Sequence, residues 1–405
     1  MKRISRYLIL TALLFSVFHS APATAQAFDC AQVTDVPAGE CEALVAFYNS
    51  TSGTGWTNHT NWLETNTVGN WYGVTVSGGR VTKLELKSNL LSGPLPDEIS
   101  LLSNLQTLDL STNQISGQIP SFLGNMTTLR QLELFGNQLS GTIPAELGNL
   151  SQLTSLTLGA NQLSGTIPPE LGNLGNLTRL WLYDNQLTGT IPPELGNLAN
   201  VENFVIEDNL LSGSIPPELG NLTKAWVINI SGCQITGSIP ASFGELTSLM
   251  YLDLSENQLS GSIPSQLGNL SNLRYLELNN NQLSGSLPTS LGNLSQLSRM
   301  YLEKNQFSGA IPSQLGNLMN LSWLRLDSNE LTGTIPPQLG QGQIYQLYLG
   351  DNHLTGSIPA ALGNLSETLW FLNLRNNELS GSIPAELGNL DKIIHMDLSG
   401  NVLSG

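Results

Sequence analysis

LRQLELFGNQLSGTIPAELGNL, residues 129–150, is the passage from which the architecture follows. Leu132 and Leu134 flank a single residue, so both leucines face one way and Glu133 faces the other, as in an extended strand. Gly141 then lets the chain turn sharply. Ile143-Pro144 makes a short extended step, and the proline, which has no N–H, belongs where no ladder bond is needed. Leu147-Gly148-Asn149-Leu150 brings the chain back toward another strand. The passage therefore predicts one coil: a strand, a proline-bearing flank and an irregular convex return.

The coil recurs along the chain. Asparagine stands at Asn89, Asn113, Asn137, Asn161, Asn185, Asn209, Asn257, Asn281, Asn305, Asn329, Asn352, Asn377 and Asn401, and Cys233 fills the one vacancy. Eleven of the thirteen intervals are 24 residues and the other two are 23 and 25. A fixed period in this range marks one supersecondary unit stacked many times, which overrides the domain count that length alone would suggest. An amide among leucines must be hydrogen-bonded, because an unpaired buried amide costs about 1–3 kcal/mol. Asn has donors and an acceptor enough to reach backbone groups in its own coil and the next. Cys233 can donate weakly from the same place and reads as buried.

Written as L-x-x-L-x-L-x-x-N-x-L-S-G-x-I-P-x-x-L-G-N-L, the unit resembles the leucine-rich repeat, in the 24-residue class of plant proteins. The resemblance implies an α/β-repeat solenoid that is curved. Its parallel sheet lines the concave face, with short 3-10 or irregular segments on the convex side. It also implies the asparagine ladder. Residues 81–405 read as this solenoid, about thirteen full repeats and a truncated last one, and residues 26–80 as an N-terminal cap. No C-terminal cap follows, so the expectation is a piece of a longer protein. The phase slips at Leu339-Gly340-Gln341-Gly342 and again near Glu367, both in the convex return.

Residues 1–25 read as a secretory signal peptide. Lys2, Arg3 and Arg6 are the basic start, Tyr7 to Phe18 the apolar stretch, and Ala23-Thr24-Ala25 a small-x-small cleavage site, with Ala25-Gln26-Ala27 as a second option. The apolar stretch is too short for a stable membrane span, and no later one is long enough. The protein is thus expected outside the cytoplasm, secreted or at the cell surface. Cys30 and Cys41 suit that compartment, and a disulfide between them is the simplest reading. The triplets beginning at Asn149, Asn269 and Asn293 match the N-glycan acceptor pattern but arise from the repeat's own turn.

In the cap, Glu40 to Tyr48 predicts a short helix with Leu44 and Phe47 inward. Trp71 to Val76 and Arg80 to Leu84 predict two strands about the turn Ser77-Gly78-Gly79. Family members carry cysteines where this chain has Asn70 and Val76, so the cap is expected to rest on packing of Trp56, Trp62 and Trp71.

The formal charge is −16, three units more negative without the leader, and no block of Lys and Arg exists in the remainder. That excludes nucleic acid and anionic membrane surfaces as partners, since both need clustered cations. No H-E-x-x-H, C-x-x-C or G-x-S-x-G occurs, and the mature histidines His59, His353 and His395 lie far apart. The chain reads as a non-enzyme with no cofactor and no metal site.

What remains is a surface. Side chains six, four and two places before each ladder asparagine point to the concave side. Phe135 opens this set. The candidate ligand-binding residues are Arg179, Trp181, Tyr183, Tyr251, Asp253, Tyr275, Glu277, Arg299, Tyr301, Glu303, Trp323, Arg325, Asp327, Tyr348, Phe371 and Arg375. Trp, Tyr and Arg are enriched at binding hot spots. The expected function is recognition of a protein, peptide or glycan through the concave face. The alternatives are inhibition of a secreted hydrolase and a structural, self-associating role.

Overall fold

The computed structural model describes residues 28–404. The leader read at residues 1–25 lies outside them. Among the described residues one sheet of 15 strands lines one side of a solenoid, and all its neighbours except the first pair run parallel. Successive repeat strands pair 24 residues apart, as in Arg179↔Asn203 and Tyr275↔Arg299. The phase slips leave this register intact, with Trp323↔Gln346 and Gln346↔Phe371, because both fall in the returns, where length is tolerated.

The core is the stack of inward leucines. Leu132, Leu134, Leu139, Ile143, Leu147, Leu150 and Leu153 of one coil are all buried and meet their equivalents above and below. No single coil could enclose these side chains, so stability comes from stacking.

Each coil carries more order than the sequence suggested. The Leu-Ser-Gly step, expected as a turn, is a second short strand in most coils, such as Gln138–Thr142. These strands form flank sheets of five, two and seven members. Their register advances 22 residues per coil, as in Ser140↔Gln162. Only one apolar residue, Leu139, turns inward here, so no alternating pattern announced the strand. Gly141 has φ 78°, the left-handed region that glycine enters without strain, and it makes the corner before Ile143. The returns are short 3-10 helices such as Ala145–Asn149. Gly148 lets them stack closely, since a Cβ there would lie 2.4 Å from the Glu170 carbonyl oxygen of the next coil.

The ladder asparagines inside the array bond to backbone groups of their own and neighbouring coils. Asn185 Nδ2 donates to Leu182 O and to Leu158 O of the preceding coil, both at 3.1 Å. Cys233 keeps one such bond, Sγ to Ile206 O at 3.8 Å.

The cap covers the first coil. The predicted helix runs longer, Ala38–Ser50, with Leu44 and Phe47 buried. The hairpin is Val74–Ser77 with Arg80–Glu85. Cys30 and Cys41 are bonded, with Cα atoms 5.7 Å apart. Trp56, Trp62 and Trp71 pack edge-on or tilted at 4.9 and 5.0 Å, and each indole N–H finds a backbone carbonyl. Two acids add bonds that sequence reading missed. Asp35 accepts the amides of Val68 and Gly69 at 3.0 and 2.7 Å. Glu40, only 2% exposed, accepts Val81 N–H at 2.7 Å and pairs with Arg80 at 3.1 Å.

Candidate functional site: the concave trough

Parallel pairing in register turns each repeat position into a column across the sheet. Tyr251, Tyr275, Arg299, Trp323, Gln346 and Phe371 are successive partners in one column. Asp253, Glu277, Tyr301, Arg325 and Tyr348 follow one another in the next. Glu303, Asp327 and Arg375 stand in a third, two places before their asparagines. Arg179, Trp181 and Tyr183 occupy the same three columns nearer the cap. All sixteen candidate residues thus lie on one face, in two groups separated by the coils of Asn203–Val205 and Val227–Asn229. Most are half-buried among themselves, more enclosed than exposure on an open sheet would suggest.

The group farther from the cap is an alternating stack of cations and rings. The Arg299 guanidinium lies 5.2 Å from the ring centres of Tyr275, Tyr301 and Trp323. Arg325 lies 4.8 Å from Tyr301 and 5.0 Å from Tyr348. These distances fall within the reach of cation–π attraction. Arg299 also donates to Glu277 at 3.0 Å, and Arg325 to Gln346 at 2.9 Å. Both guanidinium planes are therefore held in place.

Sequence reading missed Tyr345 and Trp370. They sit one place outside the first column, where Tyr345 packs against Trp323, Trp370 and Phe371 at 6.2, 5.2 and 5.9 Å. Trp370 remains 36% exposed. An aromatic residue recurring seven places before the asparagine was the available signal, and Trp226 shares that position with 42% exposure.

Arg179 and Trp181 of the group near the cap line a depression of about 350 Å³. Phe135 and Trp181 form its walls, 6.2 Å apart edge-to-face, with Lys87 over the first ring and Arg179 over the second. Glu85, Asp109 and Glu133 supply carboxylates. These three and Lys87 were also missed, although the same column arithmetic applied to the early coils finds them. Another depression, about 690 Å³ on the proline flank, is lined by Ser, Thr, Pro and two glutamates with no aromatic ring.

Burial sets the electrostatics of the trough. Desolvation raises the carboxyl groups of Glu207, Glu277 and Asp327 above their ordinary range. Glu303, 9% exposed, is pushed up to about 7, first by burial and then by Asp327 beside it. Tyr251 is raised by burial and by Asp253, whose carboxylate accepts its hydroxyl at 2.9 Å. Among the described residues no cluster of three or more His, Cys, Asp or Glu could hold a metal ion. No helix there is long and apolar enough to cross a membrane.

The leucine rich repeat signature matches residues 221–283. It matches again at 104–126, 128–150, 152–174, 176–198, 320–341, 343–365 and 368–390. Together these stretches are more than half of the chain. No curated protein sequence matches significantly. Among solved structures, an LRR protein of Leptospira interrogans is 30% identical, with 79% of each chain covered and a TM-score of 0.64. The Arabidopsis receptor kinase HAESA, solved with the peptide hormone IDA and the co-receptor SERK1, is 32% identical. That match covers 90% of this chain and 66% of the receptor, with a TM-score of 0.75. The plant peptide hormone receptor RGFR1, solved with RGF2, is 34% identical over 80% of this chain, with a TM-score of 0.66. This chain spans 59% of that receptor's length. Signature, coil geometry and these likenesses agree: the chain belongs to the leucine-rich repeat family.

Proposed function

We propose that this protein is a secreted or cell-surface binding module that holds an extended peptide or protein segment along its concave trough. The carrying observation is the alternating stack Tyr275–Arg299–Tyr301–Arg325–Tyr348, which presents rings and guanidinium groups across four neighbouring strands. Rigid aromatic and arginine side chains contribute most of the energy at protein interfaces. A segment lying across the strands would meet a new ring or cation every ~4.8 Å, the spacing of the sheet. The structural likeness to receptors solved with peptide hormones favours a peptide over other ligands. The basic and apolar leader at residues 1–25 supports export.

Selection from a displayed random-peptide library tests the reading. Sequences enriched on the wild-type protein should be lost on a Tyr301→Ala, Trp323→Ala double variant. They should be kept on a Glu146→Ser, Glu170→Ser variant of the convex return. Equal enrichment on all three proteins would refute the concave-face reading.

One observation favours a second ligand class near the cap. Phe135 and Trp181 line the smaller depression together with the carboxylates of Glu85, Asp109 and Glu133, a mixture of rings and acceptors that suits a sugar. A glycan array probed with wild type and Trp181→Ala should show signal that the variant loses. A blank array removes this second reading.

A further inference from the structure

Beside the cation–ring stack runs a row of acceptors, two of whose atoms lack a donor. Asn279, Glu303 and Asp327 occupy the same position of three successive coils. The backbone keeps them in line, with Asn280 N–H donating to Glu303 O and Lys304 N–H to Asp327 O, each at 3.0 Å. Asn279 Oδ1 and Glu303 Oε2 are both buried and receive no hydrogen bond. Glu303 is more than nine-tenths enclosed. Buried acceptors are nearly always satisfied in folded proteins, so two neighbours left without donors call for a partner.

The surrounding charges do not supply it. On its own coil Glu303 has Arg299, Tyr301 and Lys304. Arg299 is engaged with Glu277, and Lys304 lies on the exposed side of its turn. From the preceding coil come Glu277 and Asn279, and from the following coil Arg325 and Asp327. Arg325 is held by Gln346 and by two tyrosine rings. Turning the Asn279 amide over would bring an N–H to the row but no positive charge.

We infer that the trough's peptide ligand carries a lysine whose ammonium group seats on Asn279, Glu303 and Asp327, with the Tyr301 ring beside it. An ammonium has three donors and no acceptor, which matches three acceptor side chains in a row. A charge-assisted bond to a desolvated carboxylate is stronger than a neutral one. The inference rests on the concave-face reading above and adds the chemistry of one ligand side chain. It carries a proton with it. The free carboxyl of Glu303 is pushed up to about 7, so below neutrality it is protonated and neutral. An arriving ammonium favours the carboxylate and expels that proton, so binding tightens as pH rises through 7 and then levels off.

The test uses the full chain and a lysine-containing N-acetylated peptide enriched from the random library. Its lysine is then replaced by norleucine or by arginine. On wild type at pH 8 the norleucine peptide should bind about tenfold more weakly, one charge-assisted contact. The arginine peptide should fall between them. Wild-type affinity for the lysine peptide should drop about tenfold from pH 8 to pH 6, the factor set by a carboxyl titrating near 7. Glu303→Gln keeps the side-chain shape and should abolish both the lysine preference and the pH dependence, with an unchanged circular dichroism spectrum. Enriched peptides without a lysine preference, or a preference that survives in Glu303→Gln, overturn this inference and leave the concave-face reading standing. Enrichment of no peptide at all overturns both.

Discussion

The backbone N–H of Leu163 donates to Oδ1 of Asn185, 2.9 Å away on the following coil. The same amide group gives its own N–H bonds to Leu158 O and Leu182 O, so one side chain joins two coils with its donors and acceptor all used. Repetition of this contact turns a stack of separate hydrophobic loops into a continuous column.

Asn185→Ala should therefore leave the Leu163 amide without its partner in a largely enclosed row, and take one of two asparagine donors from each of Leu158 O and Leu182 O. The expected loss is about 1–3 kcal/mol. Guanidinium denaturation would show it as an earlier midpoint, and an unmoved midpoint would contradict the bonding described.

Cys233 is the natural counter-experiment. Its thiol donates to Ile206 O, but sulfur is a weak acceptor for the amides of Asn209 and Leu211 that face it. Burial pushes the thiol up to about 11, so it stays protonated at neutral pH. Cys233→Asn should raise stability by about 1 kcal/mol, the net worth of a restored hydrogen bond. A lower denaturation midpoint would mean that the pocket has adapted to sulfur.

Two glycines separate close packing from turn composition. A Cβ on Gly148 meets the Glu170 carbonyl oxygen at 2.4 Å, while one on Gly175 meets nothing within 4 Å. Gly148→Ala should cost about 1–3 kcal/mol through forced separation of coils. Gly175→Ala should be neutral or slightly stabilising through the unfolded chain. Equal effects in thermal melts would refute the distinction.

Glu40 ties the capping helix to the hairpin through Val81 and Arg80. Glu40→Gln removes the buried charge and leaves Arg80, which is half-exposed, free to hydrate. The expected cost is about 1–3 kcal/mol, concentrated in the cap. Fluorescence of Trp56, Trp62 and Trp71, which lie together there, should report unfolding at lower denaturant than far-ultraviolet dichroism does. Coincident transitions would show that the cap and the array unfold as one.

Glu303 also makes the unliganded protein pH-sensitive. Its folded carboxyl is raised from an ordinary 4.5 to about 7. The folded state thus binds the proton more tightly than the unfolded chain. The stability it contributes is fully present below pH 4.5 and is lost as pH rises to about 7. The total is on the order of 3 kcal/mol by the usual conversion of pKa to free energy. Subtracting the profile of Glu303→Gln from that of wild type should isolate this fall. A flat difference between pH 4.5 and 7 would contradict the raised carboxyl.

Much of this was legible in residue order. The period, the inward leucines and the Asn column are one-dimensional facts, because each coil repeats the same local instructions and touches only its neighbours. Column arithmetic located Tyr275, Arg299, Tyr301 and Trp323 on one face, because parallel strands in register carry sequence period directly into space. The second strand at Gln138–Thr142 was not legible. It exists through pairing with the next coil and has one inward side chain, too few to make a pattern. Glu40 and Asp35 were missed for a related reason: their partners lie more than thirty residues away in a cap that has no repeat.

The repeat itself determined the solenoid, its ladder and the direction in which each strand residue points. Those properties follow from local geometry multiplied by stacking. Only the folded arrangement decided which cations rest on which rings, that Glu303 loses its water, and that Asn279 beside it has no donor. Enclosure depends on the side chains contributed by both neighbouring coils at once, and no single repeat contains that information.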